Sequence, residues 1–231
     1  FAPFASMRCY EQVRTDICYS KLPVVIIGNG AGYSNGASGC THCALEDSAL
    51  MVACNNMTVL EPGDPFQIAK LLEAAMELNA PVYIRLGREA TSSLYPEDTK
   101  YEIGKALIPR EGDDGAFICT MVHFAMEAAK RIHDELGKEI RVVDMFTIKP
   151  LDKQAVIDAA KTGRVVAAQD HNLLGGLGQL VGSCIAEAGI ACKLVSRGCP
   201  DYFVPIANPE FLYARNGMDA DGLYEAMKAM F

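Results

Sequence analysis

Short apolar runs alternate with longer amphipathic ones along the chain. This pattern predicts strands at residues 24–28, 57–60, 82–86, 116–120, 140–144, 165–169 and 192–196. The stretch PFQIAKLLEAAMEL, residues 65–78, repeats its apolar positions every three or four residues and carries proline at its start, which predicts a helix. Residues 45–51, 122–136 and 153–161 read as helices too, and residues 219–230 close the chain with Asp219 and Asp221 in a first turn. Strand followed by helix, repeated, predicts an α/β fold: two consecutive open, mostly parallel sheets flanked by helices.

The rhythm breaks at residues 91–114, which hold Pro96, Gly104, Pro109, Gly112 and the acidic run EGDD. A boundary is expected between 98 and 114. The domains are then 1–100 and 112–231, and no repeat of fixed period relates them. The length of 231 residues suits two such domains.

Composition narrows the function classes. Half of the residues are hydrophobic, enough for buried cores, and the formal charge of −8 argues against a nucleic-acid or anionic-membrane surface. No run approaches the roughly 18 apolar residues of a membrane span, and no signal peptide is visible. The chain begins at Phe1 and not at methionine, so Phe1 is not expected to be the natural start. The nine cysteines are odd in number, scattered and set in apolar runs, which fits reduced thiols in a cytoplasmic protein.

Candidate chemistry concentrates after the first strand. Gly28, Gly30, Gly32, Gly36 and Gly39 fall within residues 28–39, between a strand and a helical run. Ligands of open parallel sheets lie beyond the carboxyl ends of strands, and glycine lets backbone approach them closely. The run lacks the G-x-G-x-x-G of a dinucleotide fold and the G-K-[ST] of a P-loop. Cys40-Thr41-His42-Cys43 has zinc-like spacing, but no second ligand pair lies near, so no metal site is assigned.

The order of residues is more informative. AGYSNGASGCTHCALED resembles the transketolase run AG-x-S-x-G-E-D-G-x-TH-Q-x-LED. FAPFASMRCYEQVRTDICY resembles the helix before that run, NNMTVLEPGDPFQIAKLLEAA the strand, turn and helix after it, and PVYIRLGR the strand ending in a substrate-facing arginine. RVVDMFTIKPLD and VVAAQDHNLLGGLG resemble the family's carboxyl-terminal domain, so the likeness covers essentially the whole chain.

The resemblance implies a thiamine-diphosphate-dependent transferase of carbohydrate metabolism, as in the pentose phosphate pathway, moving a two-carbon ketol unit between sugar phosphates. Phe1 and Phe4 match the aromatic pair that packs on the cofactor's aminopyrimidine. His42 matches the histidine beside the reacting carbonyl, where an imidazole can donate or shuttle a proton. Arg88 matches the arginine that binds the sugar phosphate, and Arg85, three residues earlier, is expected to assist it. Gly30 and Ser38 fall at positions that face the sugar. Asp170 and His171 read as structural or interface residues. The ligands of diphosphate and Mg2+ are expected in another domain or in an amino-terminal subunit, and the glutamate that activates the cofactor before Phe1. Self-association through the pyrimidine-binding domain is expected as well.

The chain departs from the family where Gly30 replaces histidine, Ala37 and Ser38 replace glutamate and aspartate, and Cys43 replaces glutamine. Losing the histidine removes a donor and is expected to open space. Two alternatives stand beside this reading. The upstream RCYEQVRTD also resembles 1-deoxyxylulose-5-phosphate synthase, though the loop length and the LED after TH fit transketolase better, and the altered loop suits a non-catalytic partner subunit that kept the fold.

Overall fold

A computed structural model of the chain describes residues 1–88 and 92–231. They form two compact units: 1–105 with 146–151 and 203–209, and 106–145 with 152–202 and 210–231. The chain thus returns twice to the first unit, at 146–151 and 203–209, where the sequence reads as one continuous second domain. Thr91, where the irregular stretch begins, lies outside the described residues.

The first unit opens with a helical segment, α1 (residues 4–19). It is π-helical over Phe4–Arg8 and Val13–Tyr19 and α-helical over Tyr10–Gln12. Then come β1 (Val25–Asn29), α2 (Asp47–Ala53), β2 (Thr58–Leu60), α3 (Pro65–Glu77) and β3 (Val82–Leu86). Asp64 caps α3 by accepting from Phe66 N at 2.8 Å, with Pro65 at the first helical position. The sheet order is β1-β3-β2-β7, where β7 is Thr147–Lys149. β3 runs parallel to both neighbours, and β7 is antiparallel to β2. Val59, Leu60, Val82, Tyr83 and Ile84 are buried and make the centre of this unit's core.

The three residues of β7 are too few for periodicity to show; pairing makes them a strand. Lys149 then reaches the end of α2 and donates to the carbonyls of Val52 at 2.8 Å and Cys54 at 2.6 Å. A cation there satisfies carbonyls that the helix leaves open.

The second unit holds β4 (Leu107–Arg110), β5 (Gly115–Cys119), α4 (Val122–Leu136), β6 (Ile140–Asp144), α5 (Lys153–Ala160), β8 (Arg164–Asn172), α6 (Leu177–Glu187), β9 (Lys193–Cys199), α7 (Pro209–Arg215) and α8 (Ala220–Lys228). Its sheet order is β4-β6-β5-β8-β9, parallel except for β4. On α4, Val122, Ala125, Ala128, Ala129 and Ile132 recur at helical spacing and are buried. The helix stops at Gly137, left-handed at φ 64°, whose N–H bonds His133 O. All the predicted strands form with ends moved by a few residues, while β4 and β7 are additional.

Among the described residues, no helix is long and apolar enough to cross a membrane. All nine cysteines are free thiols; Cys18, Cys43, Cys54, Cys119, Cys184 and Cys199 are buried.

Candidate functional site

The glycine-rich run leaves the end of β1 and stays tied to the sheet. Ala31 N bonds Leu86 O at 2.9 Å, and Gly32 N bonds Ala44 O at 2.9 Å, which closes the base of the loop. Ala31 and Ala44 pack on Ala2, all three buried, so the start of the chain and the loop share one small apolar contact. Between these anchors the backbone makes tight turns. Gly39 has φ +76°, and His42 N bonds Gly39 O at 3.0 Å.

That turn delivers His42 to Phe1 and Phe4. The imidazole centroid lies 5.1 Å from the Phe1 ring and 5.5 Å from the Phe4 ring, both edge-to-face, and the two phenyl rings are 5.9 Å apart. Such offsets suit aromatic quadrupoles. Phe1 is 49% exposed, so the cluster presents an open aromatic face. Thr41 Oγ1 lies 2.9 Å from His42 Nδ1 and fixes the ring's rotation. The Arg8 guanidinium stands 4.2 Å over the Phe4 ring, a cation–π contact that sequence reasoning missed. Arg8 is one helical turn after Phe4, and that spacing was the available signal.

Gly30, Asn35 and Arg88 form a second group. Arg88 Nη1 donates to Asn35 Oδ1 at 2.8 Å, and Asn35 Nδ2 donates to Gly30 O at 2.9 Å. Ser34 Oγ accepts from Arg88 N at 3.3 Å. The expected open space at Gly30 is not there. A Cβ on residue 30 would fall 2.1 Å from Asn35 Nδ2, and Gly30 has φ +69°, where side chains are strained. The amide of Asn35 has taken the room. Ser38 ends the short turn Gly36–Ser38 and is exposed, as is Ala37.

Arg85 does not join this group. Its Nε donates to both Asp47 oxygens at 3.0 Å, Nη1 to Glu61 Oε1 at 2.7 Å and Nη2 to Ala44 O at 2.8 Å. The side chain is 3% exposed, so the guanidinium is committed to the interior and is not presented to a sugar. This corrects the expectation that it assists Arg88. Tyr83 donates to Asp47 Oδ2 at 2.6 Å. Burial, then the Asp47 charge, pushes the Tyr83 phenol far above its ordinary range.

In the second unit His171 is fully buried with Nδ1 2.9 Å from Asn172 O, and Asp170 accepts from Tyr213 at 2.7 Å. Gln169 Oε1 accepts from Leu177 N at 2.7 Å and caps α6. These groups hold the turn between β8 and α6. Among the described residues, no three His, Cys, Asp or Glu side chains gather as a metal cage, the Cys40–Cys43 run included.

Comparison with known proteins matches residues 1–93 to the transketolase pyrimidine-binding domain and residues 104–223 to the transketolase carboxyl-terminal domain. The chain is 34% identical over 226 residues to a subunit of the apulose-4-phosphate transketolase of Phocaeicola vulgatus, covering 96% of this chain and 72% of that protein. It is also 34% identical over 221 residues to 1-deoxy-D-xylulose-5-phosphate synthase of Clostridium perfringens, covering 94% of this chain and 35% of that protein. Among solved structures, a split-gene transketolase described as an inactive beta4 tetramer superposes with a TM-score of 0.88 at 35% identity, covering 99% of this chain and 73% of that one.

Proposed function

This chain belongs to the transketolase family, and from that premise we propose that it serves as one subunit of a split, thiamine-diphosphate-dependent transketolase acting on sugar phosphates. The observation that carries the reading is the meeting of Phe1, Phe4 and His42. Two phenyl rings and an imidazole, one ring half exposed, fit a flat heteroaromatic ring such as the cofactor's aminopyrimidine.

When bound, thiamine diphosphate supplies the carbon nucleophile that takes up a two-carbon ketol unit. The residues of this chain do the rest of the work proposed here. Phe1 and Phe4 pack on the aminopyrimidine and fix its orientation. His42 faces the substrate oxygen that gains charge. Either sense of the Thr41 hydrogen bond leaves Nε2 as the exchanging position, which donates a proton to that oxygen or takes one back. Arg88 binds the sugar phosphate, its strand-end position and exposure supporting that role. Ser38, exposed on the same loop, meets a sugar hydroxyl, and Gly30 shapes the floor beneath Arg88.

Diphosphate and Mg2+ are held by an amino-terminal partner subunit. The Phocaeicola vulgatus relative is named as one subunit of a transketolase, and the split-gene relative is described as inactive in its own assembly; both support an active site shared between two kinds of chain. Self-association through the pyrimidine-binding unit goes with this reading. The synthase reading rests on equal identity; the loop, with Leu45-Glu46-Asp47 following Thr41-His42, favours the transketolase.

The test is ketol transfer, with thiamine diphosphate and Mg2+, by the chain alone and with an amino-terminal subunit. Transfer between sugar phosphates by the pair and none by the chain alone is expected. Activity of the chain alone removes the need for a partner. Carbon dioxide release from pyruvate with a triose phosphate would replace transketolase by the synthase.

A further inference from the structure

Arg88 leaves the end of β3 exposed to solvent, yet it is held at two points. Ser34 Oγ takes its backbone N–H, and Asn35 Oδ1 takes one hydrogen of Nη1. Asn35 is itself 4% exposed, and its Nδ2 is spent on Gly30 O. Both ends of the amide are therefore used, and a flip would turn Nδ2 toward the guanidinium and Oδ1 toward a carbonyl oxygen, which is repulsive. The amide fits only because residue 30 is glycine: a Cβ there would lie 2.1 Å from Asn35 Nδ2 and 3.3 Å from Arg88 Cδ. Among the described residues, the other guanidinium nitrogens of Arg88 take no hydrogen bond.

We infer that Asn35 is a positioning residue, admitted by Gly30, that holds the Arg88 guanidinium extended toward the phosphate of the sugar substrate. A neutral amide suits this work. It fixes a long flexible side chain without neutralising the charge, so the remaining donors keep their full pull on a dianion. A carboxylate at residue 35 would hold the same nitrogen but compete with the phosphate. The inference rests on Arg88 as the phosphate-binding residue.

The experiment uses the full chain assembled with its amino-terminal subunit and cofactor, with ribose 5-phosphate and unphosphorylated ribose as alternative acceptors. Asn35→Ala raises KM for ribose 5-phosphate about tenfold, the size of a lost hydrogen bond to a charged group, and leaves kcat and the KM for ribose within about twofold. The dissociation constant of ribose 5-phosphate, measured by calorimetry, moves in parallel. The double variant Asn35→Ala/Arg88→Ala is no worse than Arg88→Ala alone, since Asn35 acts through that arginine. Asn35→Asp, the second variant should the alanine variant fail to fold, keeps the oxygen that takes Nη1, sets its other oxygen against Gly30 O, and raises the same KM through its charge. Independent, multiplying losses in the double variant would overturn the inference. So would an equal loss on both acceptors, or an Asn35→Asp protein that binds ribose 5-phosphate as wild type does. If Arg88→Ala leaves the KM for ribose 5-phosphate unchanged, the phosphate reading of Arg88 falls and takes the inference with it. If Arg88→Ala raises that KM and the Asn35 variants do not, the inference alone falls.

Discussion

The Arg85 guanidinium lies against the Asp47 carboxylate, with Nε 3.0 Å from both oxygens and both side chains almost wholly out of water. Three residues later the Arg88 side chain is exposed. Two arginines at one strand end thus do different work: one joins β3 to α2 inside the unit, the other faces solvent beside the glycine-rich loop.

Removing the inner arginine therefore costs stability. Arg85→Ala leaves Asp47 and Glu61 buried without their cation and is expected to lower unfolding free energy by about 3–5 kcal/mol. Arg88→Ala is expected to leave it within about 0.5 kcal/mol. Urea unfolding of the two variants reads the contrast, and equal losses would show the division of roles to be wrong.

Restoring a histidine at residue 30 is expected to do harm. Gly30→His meets a left-handed backbone worth about 1–3 kcal/mol of strain and collides with Asn35 Nδ2. The melting temperature falls, and a crystal structure finds the Asn35 amide displaced from Arg88. A variant as stable as wild type with Asn35 unmoved refutes this account of the glycine.

His42 carries the proton in the proposed reaction. In the assembled enzyme, His42→Ala is expected to lower kcat by about a hundredfold or more, the range of general acid–base catalysis, with the fold retained. Thr41→Val removes the hydrogen bond that orients the ring and gives a smaller loss in kcat. An unchanged kcat in His42→Ala leaves the imidazole only a packing role beside Phe1 and Phe4.

Alkaline pH is expected to weaken the first unit. Burial, then the neighbouring Cys54 thiol, pushes Cys18 up to about 11, and burial keeps the Tyr83 phenol protonated in the folded state. The unfolded chain releases these protons at about 8.5 and 10. It then binds fewer protons than the folded chain, so stability is full below about pH 8.5 and falls as pH rises toward the folded-state values. Unfolding curves between pH 7 and pH 11 check the sign; a stability that rises across that interval contradicts it.

The same burial protects Cys18 from alkylation. At pH 7.5 iodoacetamide is expected to label the exposed Cys40 first and to spare Cys18 and Cys54 in the folded protein. Mass spectrometry of the peptides gives the order, and early labelling of Cys18 would place its thiol at the surface.

Much of the fold was legible in one dimension because hydrophobic period is a local property. Residues 82–86 and 122–136 announce a strand and a helix to the residue, and the glycine run locates the loop beyond β1. Phe1, Phe4 and His42 became candidates only through the order of residues along a familiar frame, and that their rings meet was visible only in the structure. The short strand β7 was not legible, since three residues carry no period and become a strand only by pairing with β2. The two arginines make the same point at the site. Alternation along a strand says that residues three apart face opposite ways, but not which way is inward. Asp47 and Glu61, 38 and 24 positions away in sequence, decide that by burying their charges against Arg85. Asn35 decides it for Arg88 from 53 positions away, by filling the room that Gly30 leaves. What the sequence by itself determined was the order of elements and the identity of the loop. Which polar groups meet across the fold was left to the tertiary structure, because hydrogen bonds and ion pairs between distant segments exist only once the chain has closed on itself.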